Sequence, residues 1–181
     1  MKRLVLFVML FSVVVCGFSQ NEETKVKTFE VGLDVFDLAL LRTVDISFEY
    51  IKNPFWGFGL AARSCFNSDE GNGLATGERY SITPFFRCYF FNKQDYGSKG
   101  FYAETFLKFF GGDVRDGWFG TGNKVDTYFD AAFGVGLGYK YVNNSGFIVD
   151  LNLGLGRSFG LSDVKGDTGV GRGGITFGYR F

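Results

Sequence analysis

The chain has no histidine in its 181 residues. That removes the commonest zinc ligand and the usual base beside a serine or cysteine nucleophile. Serine and aspartate without such a base make a weak hydrolytic set, so no enzyme, cofactor or metal site is expected. Proline is nearly absent at 2 residues, and with 46% hydrophobic residues this argues against a disordered chain. Net charge is absent as well, with Lys+Arg and Asp+Glu at 19 each. No large field draws the chain to nucleic acid, which is not expected as a partner. Cysteine is scarce, at 3. Beyond the N-terminus there is no apolar run long enough for a membrane helix.

The one long apolar run opens the chain, MKRLVLFVMLFSVVVCGFSQ. Lys2 and Arg3 form a basic start, residues 4–15 are apolar, and Gly17 and Ser19 are small. This pattern predicts a secretory signal peptide over residues 1–19, cut after Ser19, and a mature domain over residues 20–181. The run falls short of the roughly 20 residues that a comfortable membrane helix needs. The runner-up is a lipoprotein signal acylated at Cys16; Val15 argues against it, because that processing site wants a small residue.

What remains is rich in Phe (24) and Gly (27), a composition of strands rather than helices. Alternating stretches predict eight strands, over residues 27–40, 43–51, 56–66, 79–91, 101–110, 126–141, 147–159 and 170–181. Shorter connections (53–55, 92–100, 143–146) alternate with longer polar ones (67–78, 111–125, 160–169). The connection near Leu41 and Arg42 is the exception, short but at the long-connection end. One short-turn end and one long-loop end is the organisation of an all-β, eight-stranded antiparallel up-and-down barrel, and transmembrane barrels have it.

Strand parity sorts the side chains. One face collects Ile46, Phe48, Phe58, Leu60, Phe86, Leu107, Phe133, Leu137, Leu153 and Phe177, with almost no charge. The other collects Asp45, Glu49, Arg63, Arg87, Glu104, Lys108, Asp130, Lys140, Asp150, Arg172 and Arg180, together with Gly134, Gly136, Gly138, Gly154 and Gly178. Parity alone does not say which face is inside. A soluble lipocalin-like carrier turns the apolar face inward around a ligand; a membrane barrel turns it to lipid. Three features favour lipid. Glycine suits a crowded interior, where it makes room for long Arg and Lys side chains. Balanced acids and bases neutralise one another in a closed interior. Aromatics gather near strand ends, as interfacial girdles do. Glu49, Arg87 and Glu104 are expected at the centre of an interior charge network, which plugs the barrel or lines a narrow, porin-like path for small solutes or ions.

The segments ISFEYIKN (46–53), SITPFFRCYFF (81–91), KGFYAETFL (99–107) and GGITFGYRF (173–181) together resemble the small outer-membrane β-barrel proteins of Bacteroidota-type bacteria, a family largely without assigned function. More distantly, the architecture is similar to OmpX and the OmpA membrane domain. The resemblance spans nearly the whole mature chain. It implies a Gram-negative outer membrane, both termini in the periplasm, outer-membrane lipid as the surroundings and no catalytic residues. Tyr179 and Phe181, closing an alternating strand, resemble the C-terminal signal that the barrel-assembly machinery reads. A monomer with a structural or interaction role through its external loops is the implied reading.

Six local features carry further expectations. Trp118 and Phe119, in a long connection, are candidates for a partner contact or for packing on the rim. GFGLAA (57–62) matches a dinucleotide fingerprint but lies in a strand pattern with no helix after it, so the match is accidental. NSDEGNG (67–73) and DVRDG (113–117) are oxygen-rich without EF-hand spacing, and are read as solvated loops. Cys65 and Cys88 lie on neighbouring strands at opposite parities, which predicts two free thiols. Pro84 within a strand predicts a bulge, and Arg157 on the apolar parity predicts snorkelling or a bulge.

Overall fold

The computed structural model describes residues 27–40, 43–65, 78–90, 97–115, 124–161 and 169–181. Residues 1–19, expected as a signal peptide, residues 67–73 and residues 118 and 119 lie outside them. Eight strands follow in chain order: β1 (Phe29–Asp34), β2 (Thr43–Asn53), β3 (Trp56–Cys65), β4 (Glu78–Tyr89), β5 (Gly100–Arg115), β6 (Lys124–Val142), β7 (Phe147–Ser158) and β8 (Gly169–Arg180). Each pairs antiparallel with the next, and β1 pairs with β8, so the sheet closes into a barrel in sequence order.

The register fixes the barrel's shape. Pairing runs from Gly156 through Gly134, Phe106, Phe85, Gly59, Glu49 and Glu30 to Arg180. Arg180 N–H then donates to Gly146 O, so the circuit returns to β7 ten residues below Gly156. A stagger of ten residues over eight strands tilts them by about 40°, and each residue then climbs about 2.5 Å along the axis.

The first expected strand is too long. β1 stops at Asp34, and a short helix, α1 (Val35–Leu40), takes the rest. Phe36 N–H donates to Asp34 Oδ1 at 2.9 Å, the bond of a helix N-cap. The sequence VFDLAL has apolar residues that fit either period, and Asp34 with the good helix formers Leu and Ala tips it to helix. β5 and β6 run further than expected, pairing out to Arg115 and Lys124. The expected bulge at Pro84 is not there: Ile82 pairs with Phe109 and Phe85 with Phe106 in one register, so the ladder is interrupted without slipping. The β4–β5 register shift lies instead between Glu78 and Tyr80. Arg157 needs no bulge either, sitting in register between Phe133 and Gly169.

The apolar parity faces outward on every strand. Leu137, Leu153 and Leu155 are 68%, 73% and 73% exposed. Around the short-turn end, outward rings pair across successive hairpins: Phe29 with Tyr50 (5.1 Å), Trp56 with Phe86 (5.1 Å), Phe101 with Tyr139 (4.9 Å) and Phe147 with Phe177 (6.0 Å). Tyr179 and Phe181 complete this belt, their ring centroids 5.0 Å apart. Phe181 N–H donates to Phe29 O at 2.8 Å, which ties the end of β8 to β1.

Cys65 falls on the inward parity, with Sγ 3.0 Å from Thr43 Oγ1, and Cys88 on the outward one; both thiols are free. Alkylation of the unreduced, denatured protein should therefore add two groups to its intact mass. An unlabelled cystine pair would contradict the β3–β4 register.

Candidate functional site

The inward parity brings the charges together. Arg87 on β4 is 3% exposed and stands at the hub. Its Nε donates to Glu104 Oε2 at 2.8 Å, and its Nη1 to Glu49 Oε2 at 2.9 Å and Asp150 Oδ2 at 2.7 Å. Glu49 also accepts from Lys140 Nζ at 2.7 Å, and Lys140 reaches Glu30 Oε2 at 2.6 Å. Arg180 Nε donates to Glu30 Oε1 at 2.6 Å. At the other end of the chain of contacts, Arg172 Nε lies 3.0 Å from Glu104 Oε1, out of line for a hydrogen bond. Four bases (Arg87, Lys140, Arg172, Arg180) and four acids (Glu30, Glu49, Glu104, Asp150) thus form one neutral network joining seven strands, all but β3. Buried charges need this: an isolated one costs several kcal/mol, at order of magnitude, and each here has opposite partners.

Aromatic rings separate and support the layers. The Arg87 guanidinium lies 4.6 Å from the Phe85 ring centre and 4.3 Å from that of Tyr102. Tyr102 Oη donates to Asp150 Oδ1 at 2.7 Å, and Tyr89 Oη to Glu49 Oε1 at 2.5 Å. The charged plane is therefore clamped by rings whose hydroxyls satisfy the leftover carboxylate oxygens.

The remaining expected residues lie nearer the long-connection end and outside this network. Arg63 Nε donates to Asp45 Oδ2 at 3.1 Å, and Lys108 Nζ to Glu78 Oε2 at 2.7 Å. Asp130 has a different task. It accepts from the Ser158 hydroxyl, from Leu161 N–H at 3.1 Å and from its neighbour Ala131 N–H at 2.7 Å, so it fastens the end of β7. Asp113 pairs with Arg79 at 3.2 Å within β5 and is not part of a solvated DVRDG loop.

Three features were missed from sequence. Glu30 shares the parity of Gly32 and Asp34, so the alternation of β1 could have found it. Glu78 is even-numbered in a strand whose inward residues are odd; the register shift beside it turns it inward, and nothing in the sequence marks that shift. The third correction concerns the glycines. A Cβ at Gly134 would meet the Phe106 ring, at Gly138 the Tyr102 ring, and at Gly59 the Phe85 ring. The room they leave is taken by aromatic rings rather than by long basic chains.

The short-turn end is closed from below. Ser98, fully buried, donates through Oγ to Asn53 O at 2.9 Å and through N–H to Pro54 O at 3.1 Å. Arg180 donates to Gly97 O at 2.7 Å and Ser98 O at 2.9 Å, drawing this connection under the barrel. Inside, one void of ≈ 20 Å³ and another of ≈ 10 Å³ are described, each with room for about one water. Arg87, Ser47 and Thr176 line both. No group of three or more metal-ligating side chains occurs among the described residues.

No family model and no curated protein sequence matches the chain. Among solved structures it is similar to the outer membrane protein Ail of Yersinia pestis, determined as a backbone structure in a phospholipid bilayer nanodisc. The identity is 17% and the TM-score 0.47, over 86% of this chain and 99% of that one.

Proposed function

We propose that the chain is a monomeric outer-membrane barrel of a Gram-negative bacterium, with a charge-filled interior and a structural or interaction role carried by its long external connections. The observation that carries this reading is the inversion of faces. Leucines 68–73% exposed ring a closed barrel in which Glu104 and Lys140 are 3% and 1% exposed. In water so continuous an apolar surface would drive aggregation; in hydrocarbon it is the favourable arrangement, and closure leaves no unpaired strand edge. The same inversion disfavours a carrier of an apolar ligand, whose interior would be the greasy face. The reading is non-enzymatic, in keeping with a chain that has no histidine. Tyr179 and Phe181 suit delivery by the assembly machinery, and Trp118 and Phe119 are the candidate loop contacts.

The test is electrophoretic. Membrane fractions, boiled and unboiled, should give a faster unboiled band, the mark of a detergent-resistant closed barrel. A soluble periplasmic protein with no shift would overturn the reading. A narrow channel is the second reading, favoured by one observation: the two interior voids meet at Arg87. In planar bilayers the plugged barrel should be silent, and discrete conductance steps would select the channel.

A further inference from the structure

On the outward face of β6 from Phe129 to Tyr141, and of β7 and β8, the one charged side chain among the described residues is Arg157. It is exposed, and its side chain makes no ion pair or hydrogen bond among the described residues. Phe133 lies beside it on β6 and Gly169 on β8, so its register partner on the β8 side carries no side chain. Leu155 lies below it, 73% exposed, and Phe159 lies above it, 59% exposed.

Depth gives this position a meaning. Arg157 stands ten residues above Phe147 on the same strand, and Phe147 belongs to the aromatic belt of the short-turn end. At the tilt set by the register, ten residues climb about 25 Å, the height of a barrel's apolar band. With the belt at one interface, Arg157 reaches the other, at the depth of lipid phosphates. A bare cation there is poorly placed in hydrocarbon and well placed against phosphate, which a guanidinium meets with two parallel hydrogen bonds.

We propose that Arg157 is the phosphate contact of a bound phosphorylated glycolipid of the outer leaflet, an inference that rests on the outer-membrane reading above. Phe159 decides between lipid classes. Above the phosphate of a glycerophospholipid lies mostly water, which would leave this ring exposed. A lipid whose phosphates sit on sugar rings puts C–H faces at that height, and these pack on an aromatic ring. Arg157 then holds the phosphate, Phe159 the sugar, and Leu155 the start of an acyl chain.

The experiment uses the full mature chain refolded in a zwitterionic detergent. It is titrated separately with bisphosphorylated diglucosamine lipid, with the same lipid dephosphorylated, and with phosphatidylglycerol, and retained lipid is read by native mass spectrometry. The bisphosphorylated lipid should be retained over both others. Arg157→Gln should weaken it about tenfold, the worth of one charged hydrogen-bonded contact. Phe159→Ala should weaken the glycolipid and leave the phosphatidylglycerol signal unchanged. Equal retention by Arg157→Gln, or no preference for the phosphorylated form in the wild type, overturns the proposal. Phosphatidylglycerol retained as well as the glycolipid overturns the choice of lipid. If Arg157→Gln does not fold, the wild-type preference alone decides. Gel mobility separates the two levels: a heat-modifiable band without lipid preference defeats this inference only, and a missing band defeats the membrane reading itself.

Discussion

Arg87→Ala should lower the unfolding free energy of the barrel by about 3–5 kcal/mol, the loss seen when one partner of a buried ionic cluster is removed. The change strips one guanidinium from three carboxylates at once, those of Glu49, Glu104 and Asp150. Lys140 still serves Glu49 and Arg172 still faces Glu104, but Asp150 keeps only the Tyr102 hydroxyl among these partners. The cavity left behind would join the two voids that Arg87 divides, and water entering it limits the loss. The measurement is a urea titration of refolded protein in detergent micelles, followed by tryptophan fluorescence and by gel mobility. An unchanged midpoint would mean that the charges are solvated and the interior is open. A second variant sharpens the result. Adding Asp150→Asn to Arg87→Ala removes the stranded charge, so the double variant should recover part of the loss. That non-additivity is the signature of a direct contact. In planar bilayers Arg87→Ala is also the variant in which a latent path would conduct.

The strands were legible because a closed barrel imposes alternation on every one of them, and its inward face has nowhere to hide a charge except against another. Arg87 is an arginine in the middle of SITPFFRCYFF, and parity alone moves it away from Phe86 and Cys88. The partners were less legible. Which acid meets which base depends on the ten-residue stagger, and the stagger comes from eight registers that no local pattern states. Glu49 and Lys140 lie on β2 and β6 and still bond at 2.7 Å across the interior. The helix after Asp34 was hidden by residues that suit both periods. The inward rings were hidden differently. Phe85, Tyr89, Tyr102, Phe106 and Phe110 stand in strands already crowded with outward aromatics. Read as composition, they vanish into the belts; read by parity, they belong with the charges. The structure places them there as the walls between ionic layers.

Gly134 and Phe106 provide the test of those walls, and the expected effect is large in both directions. They are register partners on β6 and β5, and the Phe106 ring lies over Gly134 where a side chain would be. Phe106 is 2% exposed and packs with Ala61 and Phe85, the ring that also supports Arg87. Gly134→Ala forces a methyl group into that ring; overpacking of this kind costs about 1–3 kcal/mol, and more where the backbone cannot yield. The backbone here is a barrel strand paired on both sides, at Phe106 and at Gly156, so the strain has little outlet. Phe106→Leu leaves a void and costs on its own account, though less than the roughly 3–5 kcal/mol of full ring deletion. Combined, the two changes should compensate: the added methyl takes up space that the ring gives back, and the double variant should be more stable than either single one. The readout is the unfolding midpoint of the four proteins in the same detergent. Simple additivity of the two losses would show that Phe106 does not lie over Gly134. The β5–β6 register, and with it the stagger that sets the height of Arg157 above the aromatic belt, would then need redrawing. Compensation would establish that Gly134 is there for a ring, and that the hub at Arg87 is held in place by aromatic packing as much as by charge.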